Sequence, residues 1–181
     1  MPFLFRTPTL ADAQMLLDWR TSPDIAAQMT TQVPYDLEKQ KAWLSACNAR
    51  EDYVHFVIML KEGKTPVGYL SYNKIDWQKR ECEMGYYTVL EKHKRHLGAY
   101  IPQFASDYCF HVMKMEKIVS CILPGNKRMI ESMRRRNIPM QEQPDGSFYF
   151  EQSVDDFLSR TRWFSLEQTL SAFPPGRPDP A

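Results

Sequence analysis

Residues 53–90 read YVHFVIMLKEGKTPVGYLSYNKIDWQKRECEMGYYTVL, and this stretch decides the fold. YVHFVIML (53–60), PVGYLSYNKI (66–75) and ECEMGYYTVL (81–90) are rich in β-branched and aromatic residues. The segments between them, KEGKT (61–65) and DWQKR (76–80), are polar and of turn length. Strands joined so closely make an antiparallel meander. In the last strand Glu81 and Glu83 alternate with Cys82 and Met84, so both carboxylates emerge on one face.

Working outward, FLFRT (3–7) reads as a short strand, and Thr9 offers an N-cap to LADAQMLLDWR. There Met15, Leu16 and Trp19 recur at helical spacing. Pro23 restarts the chain, and Pro34 precedes another helix with Leu37, Trp43 and Leu44 on one side. Beyond the meander the pattern predicts a helix over 99–113, the strand KIVSCILP and a helix from Asn126 to Arg136. PDGS (144–147) is a turn that joins IPMQEQ to SFYFEQ in a closing hairpin. The expected class is α+β, a central mostly antiparallel mixed sheet flanked by helices, with one βαβ crossover. Residues 1–173 are read as a single domain, and 174–181 as a Pro-rich mobile tail.

The composition narrows the function. Lys and Arg number 23 against 22 Asp and Glu, a net charge of +1, which argues against a dedicated nucleic-acid binder. The four cysteines form no CxxC pair; Cys82, Cys109 and Cys121 sit in apolar stretches and read as buried thiols. The four histidines show no ligand spacing, so no metal is expected. With neither a signal-peptide core nor a long apolar run, no membrane partner is expected and the reading is cytoplasmic.

Three motifs carry the chemistry. The basic run EKHKRHLGAY (91–100) lies between EMGYY (83–87) and DYCF (107–110), at the mouth of the predicted helix. A helix N-terminus presents orphan N–H donors and a positive dipole end, which suits a phosphate. The second is Asn126 in NKRMIESMRRRNIP, where Asn137 also suits the left-handed conformation after a helix. The third is the Glu81/Glu83 face. A solvated basic loop, a bare N-cap and surface carboxylates are the plainer readings of the same residues.

These motifs and the element order resemble the GNAT superfamily of acyl-CoA-dependent N-acetyltransferases, over residues 3 to about 152. The resemblance implies a GNAT fold, acetyl-CoA as cosubstrate, no metal, and direct attack of an amine on the thioester. Its loop pattern, [RQ]-x-x-G-x-[GA], fits here as His93-x-x-His96-x-Gly98 when EMGYY and DYCF set the register. The alternative, Arg95-x-x-Gly98-x-Tyr100, keeps the first glycine and loses the second. In the preferred register His96 replaces a loop glycine, and the charge of Lys94, Arg95 and His96 can stand in for backbone contacts. Tyr87, Thr88 and Val89, Lys94 to Gly98 with Leu97, Ala99 and Asn126 are the implied cofactor contacts. Glu83 is the first choice of general base and Glu81 the second. Met133 stands where relatives carry a tyrosine that serves as general acid.

LLDWRTSPDIAAQM (16–29) is similar to two branches, one acting on nucleotide-linked amino sugars and one on protein N-termini. The "WR" and the later "KAWL" lean toward the sugar branch, with Trp19, Arg20 and Tyr86 as acceptor contacts and Trp43 as a second stacking candidate. The implied partner is a small-molecule amine, expected to be a sugar nucleotide, and a homodimer is compatible. The alternatives are peptide N-terminal acetylation and a module that binds CoA or a sugar nucleotide without turnover.

Overall fold

A computed structural model of the chain describes residues 2–159 and 165–175. Among these, β1 (Phe3–Arg6), β2 (Val54–Leu60), β3 (Pro66–Asp76), β4 (Glu81–Thr88), β5 (Lys117–Ile122), β6 (Gln141–Glu142) and β7 (Phe148–Ser153) form one sheet. Their order is β1-β2-β3-β4-β5-β7-β6. The expected meander is present, with Phe56 opposite Leu70 and Leu70 opposite Tyr86. Only β4 and β5 run parallel, and only Glu81–Glu83 pair with Lys117–Val119. Past that point β4 continues to Thr88 and β5 to Ile122 with no register between them. The strands therefore splay, and the facing edge of β4 keeps backbone groups without a strand partner.

Helices cover both faces. On one, α1 (Ala13–Thr21) and α3 (Leu37–Asn48) pack Ala13, Leu16 and Leu44 on Val57 and Tyr69, with Tyr87 beside them. On the other, α4 (Ile101–His111) buries Phe104, Ala105 and Tyr108 against Phe5, Phe56, Leu70 and Tyr72. The Tyr72 hydroxyl donates to the Ala105 carbonyl at 2.7 Å, which seats α4 on the sheet. The short α2 (Pro23–Ala26) follows α1, and α5 (Lys127–Arg135) packs Ile130 and Met133 on Ile122 and Phe150.

Of the foreseen caps, Asn126 is built as expected, whereas Thr9 sits at the N-cap position without a side-chain cap bond and Asp12 serves that turn instead. The Asp12 carboxylate accepts the Thr9 N–H at 2.8 Å and the Arg6 guanidinium at 2.7 and 2.6 Å, although the first turn, Leu10–Asp12, is a 3-10 helix. The Arg6 bond holds that carboxyl below the usual carboxylate range. Asn126 caps α5 by accepting the Met129 N–H at 3.1 Å, and Asn137 takes φ 52° after that helix.

The structure differs from the sequence reading at four points. The helix expected over 99–113 is present as α4, but the basic run ahead of it is wound as a continuous 3-10 helix, Lys92–Tyr100, that runs into α4. The closing hairpin keeps only two residues in β6, which lies between Pro139 and Pro144, neither able to donate to a ladder. Cys121 is exposed while Cys47, Cys82 and Cys109 are buried, because Ile118 and Ile122 take the covered face of β5 and Cys121 the other. Finally, α6 (Val154–Leu158) and α7 (Leu166–Leu170) follow the last strand. They return the chain so that Phe173 stacks at 4.1 Å on both Phe5 and Tyr108. The expected tail lies outside the described residues from 176 onward.

Candidate active site

The splay between β4 and β5 opens into a cavity of about 520 Å³ that passes from the α1/α3 face to the α4 face. On the first face it is lined by Arg20, Trp43, Tyr53, Tyr69, Ser71 and Glu83. On the second it is lined by Tyr86, Ser106, Ser120, Asn126, Met133 and Gln152. Gly85 lies where the two halves meet. A Cβ added there would meet nothing nearer than Ser71 Oγ, at 4.0 Å, so the backbone stands open to the cavity.

Among the residues singled out in the sequence, Glu83, Tyr86, Tyr87, Arg20 and Asn126 come together around this space. Glu83 is half-buried and pairs with Lys74 at 2.7 Å. Glu81 lies off the cavity, facing a second hollow that Glu83 also borders, with Lys74, Lys79 and Tyr149, and pairs with Lys117 at 3.3 Å. Trp19 packs among the helices of the first face, whereas Trp43, 40% exposed, lines the cavity. Tyr87 stacks on Tyr69 with ring centroids 5.7 Å apart, and burial raises both hydroxyl pKa values. Burial likewise raises Tyr86.

Thr88, Val89 and the segment Lys94–Ala99 lie outside the cavity lining. That segment is wound as 3-10 helix, whose own i to i+3 bonds engage its amides. It therefore offers side-chain charge more than open backbone: Lys94 is half-buried, while Arg95 and His96 are exposed. His96 has negative φ, so it occupies this place without left-handed strain. Gly98 also has negative φ, and a Cβ on it would make ordinary contact with Leu90 at 3.6 Å.

Among the described residues, three buried polar atoms at the cavity have no hydrogen-bond partner: Arg20 Nη1, Ser106 Oγ and Gln152 Nε2. Arg20 is held from behind, its Nη2 donating to the Thr31 carbonyl and, at 2.9 Å, to the Thr31 hydroxyl. Its desolvation lowers the guanidinium pKa, opposed by Tyr87. A cation pinned on one side and unpartnered on the other is arranged to receive an anion. The sequence marked Arg20; Ser106 and Gln152 carried no local signal.

The residues present fit a CoA thioester. The unpaired edge of β4 beyond Glu83 can take the amide groups of a pantetheine arm much as a sheet edge takes a strand. The Asn126 side-chain carbonyl is engaged in its cap, which leaves the NH₂ for the same arm. Among the described residues, no group of three or more His, Cys, Asp or Glu is placed to hold a metal ion. No helix among them is long and apolar enough to cross a membrane.

A family model described as an acetyltransferase (GNAT) domain matches residues 3–136. No curated protein sequence matches the chain. A solved spermidine N-acetyltransferase from Vibrio cholerae, in complex with CoA and spermine, superposes with a TM-score of 0.78 at 12% identity. The match covers 87% of this chain and 99% of that one. A chimera of the Vibrio cholerae spermidine N-acetyltransferase with hSSAT gives 0.75 at 13% identity, covering 88% and 100% of the two chains. A domain from Methanocaldococcus jannaschii gives 0.68 at 20% identity, covering 84% and 98%. At these identities the likeness is one of fold.

Proposed function

Because the chain belongs to the GNAT acetyltransferase family and is an acyl-CoA-dependent N-acetyltransferase, we propose an acceptor that carries an anionic group beside its amine. A nucleotide-linked amino sugar is the acceptor class we favour, in a reducing cytoplasm. The observation that carries this reading is the buried, unpartnered Nη1 of Arg20 at the cavity. The other cations there are Lys39 and Arg136. The carboxylates lining the cavity are Asp36 and Glu83, of which Asp36 caps α3 and Glu83 pairs with Lys74. A polycation such as the spermine bound by the Vibrio cholerae enzyme would have little uncommitted negative charge to meet. A bare peptide N-terminus would leave Arg20 without an anion.

Acetyl-CoA supplies the activated acetyl thioester. The edge of β4 from Tyr86 to Thr88, with Val89 just after it, and the Asn126 amide hold the pantetheine arm, while Lys94, Arg95 and His96, with Leu97, Gly98 and Ala99, meet the diphosphate. Glu83 takes the proton from the acceptor amine, directly or through one water. Trp43 and Tyr53 wall the acceptor side, and Trp19 supports α1 from within.

Two measurements test this. Saturation with CoA at about 100 Kd is expected to stabilise the protein by roughly 2.7 kcal/mol, read as a thermal shift. No shift at millimolar CoA would overturn the cofactor assignment. In a CoA-thiol release assay with an amino-sugar nucleotide, spermidine and a peptide as acceptors, the sugar nucleotide should turn over fastest. Arg20→Ala should then raise its KM by about 10- to 100-fold, the scale of a charge-assisted hydrogen bond, and leave the KM for acetyl-CoA unchanged. Faster turnover of spermidine, unaffected by Arg20→Ala, would sink the anionic acceptor.

A further inference from the structure

Two of the orphaned groups lie on the α4 face of the cavity, where neither the acceptor nor the general base needs them. Ser106 is 0% exposed and Gln152 3%, and among the described residues neither Ser106 Oγ nor Gln152 Nε2 has a hydrogen-bond partner. A buried donor left unpaired forfeits its hydration with no return, so a cavity that keeps two of them is built for a group that bonds to them.

Register places this pair at the inner end of that half. Gln152 stands opposite Ile118, and Ile118 opposite Cys82, so the three share one row on the face that α4 covers. The gap between β4 and β5 opens one row later, where Ser120 stands opposite Phe150. Ser106 lies one helical turn beyond Pro102, which also lines the cavity, counted away from the basic run ahead of α4. Ile122, Phe150, Met129 and Met133 wall this half, so it is apolar along its sides and polar where it ends.

The proposed path of CoA fixes what reaches that end. With the diphosphate at Lys94–Ala99 and the pantetheine arm running from Thr88 back to Tyr86, the thioester comes to the level of Gly85. Glu83 lines the α1/α3 face, so the amine attacks from there. As the carbonyl carbon becomes tetrahedral, its other substituents bend away from the incoming nitrogen, toward the α4 face. The rest of the acyl group therefore points into the half that ends at Ser106 and Gln152. An acetyl methyl offers those two groups nothing.

Resting on the acyl-CoA-dependent reading, we infer that this half is an acyl subsite in which Ser106 and Gln152 select a short acyl chain with a hydroxyl at its third or fourth carbon. The Gln152 NH₂ donates to that oxygen, and the Ser106 hydroxyl donates to it or accepts from it; a hydroxyl satisfies either arrangement. Both side chains are neutral, so an uncharged oxygen suits them better than a carboxylate. Arg136, which also lines this half, lies by Tyr86, two rows further along β4. Met129 and Met133 are unbranched and adapt to the chain. Transfer uses the steps already described: the amine forms the C–N bond, the C–S bond breaks, Glu83 takes the amine proton and CoA leaves as its thiolate. Acetyl-CoA remains a donor, and the hydroxylated acyl-CoA is a further one.

Calorimetry on the protein without acceptor keeps this apart from the choice of amine. The probes are acetyl-CoA, butyryl-CoA, each enantiomer of 3-hydroxybutyryl-CoA, and 4-hydroxybutyryl-CoA. At least one hydroxylated thioester should bind about 10- to 100-fold more tightly than butyryl-CoA, the scale of two hydrogen bonds. In Ser106→Ala and in Gln152→Leu that advantage should shrink about 10-fold, while the affinities for acetyl-CoA and butyryl-CoA hold. Equal binding of butyryl-CoA and every hydroxylated thioester by the wild-type protein would overturn the subsite, and this comparison stands even if a variant does not fold. Variants that keep the full preference, or that weaken all the thioesters alike, would overturn it as well. Failure of acetyl-CoA itself to bind would instead remove the cofactor assignment, and the subsite with it.

Discussion

Glu83→Gln is expected to lower kcat by about 10² to 10⁴-fold while leaving CoA binding intact, because a positioned general base contributes on that scale. Glu83 is the carboxylate that β4 turns into the cavity, two residues before the exposed backbone of Gly85. The amide keeps the size of the side chain and can still accept from Lys74 at the 2.7 Å site, so packing should change little. What it loses is the ability to take a proton from the amine. Glu81→Gln is the natural control, since Glu81 lies in the neighbouring hollow and pairs with Lys117. Single-turnover rates with saturating acetyl-CoA measure the chemical step for both variants. A wild-type rate in Glu83→Gln would remove Glu83 from the role, and a large loss in Glu81→Gln alone would transfer the role to it.

Gly68→Ala should cost about 1–3 kcal/mol or more of stability and strip most CoA binding from the protein that still folds. A Cβ on Gly68 would lie 2.4 Å from the Tyr87 carbonyl oxygen and 3.2 Å from Thr88 Cα, both backbone atoms that no rotamer change can move. Gly68 also sits beside the irregularity in the β2–β3 ladder at Ile58/Met59, where the strand already bends. Relief requires β4 to shift away from β3 at Tyr87 and Thr88, the edge proposed to hold the pantetheine arm. Chemical denaturation measures the stability loss, and calorimetry with CoA the binding loss. A variant of normal stability and normal CoA affinity would show that this edge tolerates displacement.

Much of the fold was legible because its signals are local. The alternation of Cys82 and Met84 with Glu81 and Glu83 set the facing of β4, and the structure buries the first pair and half-exposes the second. Asn126 and Asn137 announced the start and end of α5 through cap and left-handed chemistry that needs no distant partner. Near 91–100 the same reasoning reached too far. A phosphate-binding loop with compensating side-chain charge was expected ahead of the helix, whereas packing of Leu97 and Tyr100 against the core accompanies a tight 3-10 coil. In Cys121 an apolar neighbourhood in sequence was mistaken for a buried place in the sheet.

The sequence by itself determined the strand meander, the crossover helix, the capped ends and the family to which they belong, because alternation, capping and motif spacing act between near neighbours. Only the tertiary structure decided which side chains face the gap between β4 and β5. It brought Glu83 but not Glu81 onto the cavity, chose Trp43 over Trp19 for its wall, and left Arg20 Nη1 unpartnered there. It also aligned Asn48, His55, Tyr69 and Tyr53 from separate parts of the chain into one hydrogen-bonded file. A hydrogen bond's direction depends on every donor and acceptor around it, and those partners are assembled only when the helices close on the sheet.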